Sequence, residues 1–240
     1  MIRLTPYEQR MLNGEFGAAK QVALQKIIDY AQILGAEELV PITKAHLCCG
    51  STCEPADFPD GNLDRPDILA MGYHDWQTKL KCPGLDPATF NSFNESTYVM
   101  DDVHCCDTFQ WQWTQQTKEF YENNRQILSD AADRGVMIGS TCAPYLAGWL
   151  PVMGEYFVTT ESSNVLYSNS ILGARGYGGG GNTTFCAAIC GRAPKWGLHL
   201  PENRHGTHVF HVACDTKDKT DWDLLRAAAV SYTHLTLPTT

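Results

Sequence analysis

Residues 139–145 read GSTCAPY, a run of small residues that ends in a thiol, a proline and a tyrosine. Cys142 follows the apolar stretch VMIGS, so it stands on a short loop at the end of an expected strand. A thiol there can be a packed side chain, half of a disulfide, a nucleophile or a metal ligand. A metal cluster whose ligands come from separate loops would present a cysteine in this way. Glu161, Ser162 and Ser163 form a second group, after the apolar run YFVTT and ahead of NVLYSNS. They can cap a helix and place a carboxylate at its positive end, or they can aim a carboxylate and a hydroxyl at a ligand. Asn169, Ser170 and Arg175 lie just beyond. The glycine run 178–181 can wrap an anion or serve as a flexible loop. Arg192, His199 and Arg204 can bind a carboxylate or phosphate through a guanidinium fork.

The remaining cysteines give weaker patterns. Cys48, Cys49 and Cys53 are close in sequence, and Cys105 and Cys106 are adjacent. None of these matches the repeated C-x2-C units of a zinc ribbon or a ferredoxin. A zinc site built from Cys48, Cys49, Cys53 and Cys106 is disfavoured on that ground. Cys186 and Cys190 are four apart in an alanine-rich helical stretch and read as packing residues.

The elements that must position these residues follow from periodicity and punctuation. Thr5, Pro6 and Glu8 make a capping box with proline at the first helical position. A second helix spans 18–35, with Val22, Ile27, Tyr30, Ala31 and Leu34 near helical spacing and Gly35 as its stop. ELVPI reads as a buried strand that delivers the chain to TKAHLCCGSTC. A strand is expected around Thr89–Asn91, and a helix over 107–134 ending at Gly135. VMIGS and YFVTT read as strands, each followed by a loop with chemistry. TTFCAAICG reads as a helix capped by Asn182 or Thr183. Helices alternating with short apolar strands predict an α/β fold.

Bulk properties exclude some functions. The chain has 240 residues, 43% hydrophobic and 19% charged, with 27 acidic against 18 basic side chains and a formal net charge of -9. No basic stripe suggests nucleic-acid binding, and no run approaches the ~20 apolar residues of a membrane span. MIRLTPYEQRML lacks the apolar core of a signal peptide. The chain therefore reads as cytoplasmic, where its ten cysteines are expected as thiols or metal ligands. The last eleven residues, VSYTHLTLPTT, do not continue the helical pattern before them and resemble translated adapter sequence. The expectation is a native region over 1–230 and a foreign tail over 231–240.

Five segments in order carry a resemblance: LTPYEQRMLNGEFG, GAEELVPITKAH, GSTCAPY, ESSNVLYSNSILGARG and GRAPKWGLHLPENR. Over nearly all of residues 3–210 the chain resembles the large-subunit or catalytic region of aconitase X. The resemblance implies an aconitase-like, multi-layer α/β fold of short strands flanked by helices, incomplete at its C-terminus. It implies a hydro-lyase acting on a small hydroxy acid, with cis-3-hydroxy-L-proline and mevalonate 5-phosphate as candidates. It implies an iron–sulfur cluster (4Fe–4S or 2Fe–2S) or mononuclear iron, with Cys142 as a ligand and further cysteine ligands beyond this chain. Cys49, Gly50, Ser51, Asn91, Ser92, Glu161 and Ser162 map onto substrate-binding positions, and Glu161 and Ser162 also onto catalytic ones. A small swivel-domain subunit or a fused C-terminal domain is the implied partner. The sequence departs from the family at LCCGSTC, at Asn91-Ser92 where an Asn-Pro is usual, and in the segment 54–75. An alternative is a catalytically inactive fragment or paralogue that binds a small swivel subunit. Under either reading the 240-residue chain alone is expected to be inactive.

Overall fold

The computed structural model describes residues 2–47, 81–101, 118–206 and 208–235. Residues up to Asn203 form one compact unit, and a second begins at Arg204.

The first unit opens as its local chemistry demands. In α1 (Pro6–Leu12) the Thr5 hydroxyl accepts from Glu8 N at 3.3 Å and the Glu8 carboxylate accepts from Thr5 N at 2.8 Å. That reciprocal box satisfies two of the donors that a helix start leaves open. α2 (Ala18–Leu34) ends at Gly35, whose φ of 73° is the left-handed stop that glycine adopts most readily. Its buried stripe is Ala19, Ala23, Leu24, Ile27, Ile28 and Ala31. Val22, Tyr30 and Leu34 sit at the margin of that face and are only partly buried. The small residues let α2 approach α5 (Gly181–Cys190), which is buried from Thr184 to Cys190.

Four strands form a parallel sheet: β2 (Lys44–Leu47), β3 (Tyr98–Asp101), β4 (Tyr156–Thr159) and β5 (Arg175–Gly178), in the order β3-β2-β4-β5. Lys44 pairs with Tyr98 on one side and with Phe157 on the other, so the strands end nearly level. A separate antiparallel ribbon pairs β1 (Leu39–Pro41) with β6 (Arg192–Pro194). Between them run α3 (Lys118–Asp133) and α4 (Ser162–Ser170). The second unit contains α6 (Lys219–Leu235), with Asp218 Oδ1 accepting from Thr220 N and Asp221 N at its start. α6 runs on through Val230, where the sequence pattern suggests a break. No helix among the described residues is long and apolar enough to cross a membrane.

The α/β expectation holds, but several elements differ. ELVPI contributes β1 to the ribbon, and the strand that leads to the cysteine turn is β2, carrying KAHL. The residues around Thr89 form a 3-10 turn, Pro87–Thr89, because Asp86 caps it through Ala88 N at 3.0 Å. β3 was not anticipated. VMIGS makes only a single parallel bridge, Met137 to Met100, because the chain at Gly139 turns in against Met100 and Asp101. The glycine run belongs partly to β5, and α5 is preceded by Gly180 with no side-chain cap, rather than by Asn182 or Thr183.

Candidate active site

Parallel strands that end together place their following loops in one crevice, and helices that start there point their N–H groups into it. Here the carboxyl edge presents Leu47, Asp101, Thr159 through Glu161, and Gly178 onward. α4 and α5 both begin at that edge.

The Cys142 loop is held there from below. Asp101 is fully buried, and its Oδ1 accepts from Gly139 N at 2.7 Å and Ser140 N at 3.4 Å. Ser140 has φ of 45°, uncommon for a residue with a side chain, and the buried carboxylate fixes the amides on that turn. Thr141 Oγ1 then accepts from Ala143 N at 3.1 Å. Ser163 Oγ donates to Cys142 O at 3.1 Å, which joins this loop to the first turn of α4. The Cys142 thiol is half-buried.

His46 locks the same region from within the sheet. Its Nε2 is 2.8 Å from Thr141 O, an atom that only accepts, so Nε2 carries a proton. Its Nδ1 is 3.2 Å from Thr159 Oγ1. That hydroxyl already accepts from Asn164 Nδ2 at 3.1 Å and from Glu161 N at 3.2 Å. With both lone pairs used, its proton goes to His46 Nδ1. The partners therefore assign a neutral Nε2–H imidazole that ties β2, the Thr159–Glu161 turn and the Cys142 loop together. Glu161 precedes α4, and its carboxylate does not cap the helix.

The structure thus brings Cys142, Glu161 and Ser162 to one edge, with Ser162 exposed. Asn91 and Ser92 are also exposed but precede β3. Ser92 lines a hollow of about 550 Å3 with Lys44, Tyr98 and Glu155, at the amino ends of the strands. Cys49, Gly50 and Ser51 lie outside the described residues, as do Cys48, Cys53, Cys105 and Cys106. Arg192 and His199 do not form an anion fork. Arg192 Nε donates to Glu8 at 2.8 Å, and buried His199 bonds Pro194 O at 2.8 Å through Nδ1. Arg204 belongs to the second unit. Asn169 serves β5, exchanging hydrogen bonds with Gly176.

Sequence reasoning missed Asp101, His46, Thr159 and Asn164. The available signals were an acidic pair closing YVMDD and a histidine inside the apolar strand KAHL.

Cys186 and Cys190 are packed in α5, as their spacing suggests. A hydrogen bond to Cys82 and burial push the Cys186 thiol well above its ordinary range. Burial pushes Cys190 up to about 12. Among the described residues, no group of three His, Cys, Asp or Glu could hold a metal ion. Cys142 supplies one soft donor suited to iron, and the described residues alone do not complete a metal site.

A family model described as the aconitase X first domain matches residues 1–202. The chain belongs to the aconitase X family. It is 30% identical over 222 residues to the phosphomevalonate dehydratase large subunit of Thermococcus kodakarensis, covering 92% of this chain and 50% of that protein. It is 30% identical over 203 residues to the cis-3-hydroxy-L-proline dehydratase of Hypocrea jecorina, covering 85% of this chain and 30% of that protein. The crystal structure of Thermococcus kodakaraensis aconitase X in its holo form superposes with a TM-score of 0.67 at 28% identity, covering 93% of this chain and 50% of that one. The aconitase-like fold is therefore shown. The chain spans half the length, or less, of these aconitase X relatives.

Proposed function

We propose that the carboxyl edge of this sheet forms part of a hydro-lyase site that removes water from a small hydroxy acid. The observation that carries this reading is the placement of Glu161 and Ser162 at the start of α4, tied through Ser163 to the Cys142 loop, in a relative of two dehydratases. Elimination breaks a C–H bond and a C–O bond, forms a C=C bond and releases water. One group must accept the carbon-bound proton and another must protonate the departing hydroxyl. Glu161 is proposed to hold or return a proton, and Ser162 to orient the substrate. The N-terminus of α4 favours an anionic group of the substrate. Cys49, Gly50 and Ser51, which map onto substrate-binding positions of the family, are proposed to contact substrate.

Cys142 is proposed as one ligand of an iron centre, whether cluster or mononuclear, completed by residues outside those described. When bound, such iron supplies a Lewis acid for the leaving hydroxyl. The candidate substrates are mevalonate 5-phosphate and cis-3-hydroxy-L-proline, after the names of the relatives. A small subunit is the proposed partner, because the Thermococcus relative is named a large subunit.

The test is water elimination from both compounds by an enzyme completed with the parts its relatives carry beyond the matched region. Turnover of one of them, with iron content lowered in Cys142→Ser, supports the reading. Full iron and full turnover in that variant refute the ligand role, and no elimination from either compound refutes the reaction.

A further inference from the structure

We propose that Cys82 and Cys186 form a redox-active dithiol, which a peroxide converts to a disulfide that ties the segment ahead of β3 to α5. This modification site is separate from the reaction proposed for the carboxyl edge and does not depend on it.

The two thiols come from distant parts of the chain and are held together by packed structure. Residues 82–94 dock on α5. Phe90 and Phe93 pack edge-on against Phe185, with ring centroids 5.9 and 5.5 Å away, and Asn94 N donates to Ala188 O at 2.9 Å. Cys82 opens a turn at the start of that segment, its carbonyl accepting from Leu85 N at 3.0 Å. On the facing helix the Cys186 sulfur lies 3.7 Å from Lys81 O, beside the backbone of Cys82, and it hydrogen-bonds the Cys82 sulfur. Cys82 is fully buried and Cys186 is 2% exposed. Thiols already in contact on two packed elements can close to an S–S bond of about 2 Å by side-chain rotation.

The same contact makes the two thiols unequal. The hydrogen bond from Cys186, helped by the charge of Lys26, holds Cys82 below the ordinary thiol range in spite of its burial. That bond and burial together hold Cys186 well above it. Cys82 is therefore the sulfur that ionises and attacks, and Cys186 the one that keeps its proton and resolves the intermediate. A surface hollow of about 410 Å3, lined by Val22, Lys26, Pro83 and Gly84 among others, adjoins the Cys82 turn and admits a small oxidant. Cys190, one turn further along α5, is no rival. It is fully buried, its pKa is pushed up to about 12, and its thiol donates to Arg192 O at 3.7 Å.

The Cys82 thiolate attacks one oxygen of hydrogen peroxide. An S–O bond forms, the O–O bond breaks, and the departing hydroxide takes a proton and leaves as water. Cys82 is then a sulfenic acid. The Cys186 sulfur attacks the Cys82 sulfur: the S–S bond forms, the S–O bond breaks, and the thiol proton leaves with the hydroxide as a second water. Two electrons pass from the two thiols to one peroxide.

The test exposes the reduced 240-residue chain to hydrogen peroxide, blocks the remaining thiols and maps its peptides by mass spectrometry. Cleavage after Lys81 and Glu95 separates Cys82 from Cys105 and Cys106, and fragmentation distinguishes Cys186 from Cys190. A Cys82–Cys186 cross-link that dithiothreitol reverses is expected. The bond closes a loop of about 100 residues, so the cross-linked protein should unfold at a urea concentration higher by about 1–2 M. Cys186→Ala suits the alanine-rich helix and should leave Cys82 as a sulfenic acid that a 1,3-diketone probe traps. Cys82 and Cys186 left unlinked at peroxide levels that fully oxidise Cys142 and Cys214 would overturn the proposal. So would Cys82 unlabelled by the diketone in a folded Cys186→Ala protein, or a cross-linked protein no more resistant to urea than the reduced one. The peptide map of the parent chain needs no variant, so it decides the matter even if Cys186→Ala folds poorly.

Discussion

Replacing His46 with phenylalanine isolates what holds the candidate site together. The ring stays in the space beside Trp149, 5.9 Å between centroids, so little volume changes. Among the described residues two hydrogen bonds vanish: Nε2–H to Thr141 O, and the Thr159 hydroxyl to Nδ1. Thr141 O loses its donor, and the proton of buried Thr159 loses its acceptor. At about 1–3 kcal/mol for each of the two groups left unsatisfied, the loss is about 2–6 kcal/mol. With a urea slope of about 2 kcal/mol/M, the unfolding midpoint falls by roughly 1–3 M. Urea titration followed by tryptophan fluorescence measures it. Thr159→Val is the companion, and the double variant should show a coupling of about 1 kcal/mol, as expected of residues in one network. Because Thr141 adjoins Cys142, His46→Phe should also speed labelling of the Cys142 thiol. A midpoint change equivalent to less than about 0.5 kcal/mol, the range of ordinary surface changes, with unaltered labelling, would refute the locking role.

Three further outcomes follow from the same geometry. At pH 8 a thiol with a pKa of about 12 is ionised in about one molecule in ten thousand. A thiol reagent should therefore modify half-buried Cys142 and exposed Cys214 in the native protein and spare Cys190; labelling of Cys190 at its denatured rate would contradict the packing. Burial raises the Glu155 carboxyl, but hydrogen bonds from Thr43, Val152 N and Lys44 outweigh it and hold the group below its usual value of 4.5. A depressed carboxyl stabilises above its unfolded pKa, and the contribution fades as pH falls through the folded one. Glu155→Gln should therefore flatten the acid limb of the stability profile below about pH 4.5, and an unchanged limb counts against the ion pair with Lys44 at 3.2 Å. Arg192→Met removes the cation from Glu8, whose side chain is 3% exposed, and should cost about 3 kcal/mol by urea titration; a loss below about 1 kcal/mol would mean that the capping box alone satisfies Glu8.

Legibility in the sequence followed the range of the interactions. The capping box of α1 and the glycine stop of α2 are settled within a few residues, and both were readable. The place of Glu161 was readable as the end of the strand YFVTT, whereas VMIGS ahead of Cys142 forms only a single bridge to Met100. What pairs with what is a long-range matter. His46 and Thr141 are 95 residues apart, and Asp101 and Gly139 are 38 apart. No local periodicity encodes such contacts, so the residues that fix the site stayed hidden. β3 was missed because STYVMDD is short and polar at both ends, while Thr89–Asn91 was misjudged because Asp86 caps a turn there. The glycine run reads from sequence as an anion wrap or a flexible loop; that Thr184 fills the space beside Gly179 is visible only in the structure. Arg192 shows the opposite error: its charge suggested a ligand, whereas its partner is Glu8 of the N-terminal helix.

The central claim is that Glu161 handles a proton at the carboxyl edge, and Glu161→Gln in the completed enzyme tests it most directly. Gln keeps the shape at the start of α4 but cannot exchange a proton. Steady-state elimination should show kcat reduced by about 10²–10⁴, the usual contribution of a positioned acid or base, with KM little changed. A kcat within a factor of about three of the parent would contradict the role given to Glu161, because a group that carries a proton in the transition state cannot be lost so cheaply.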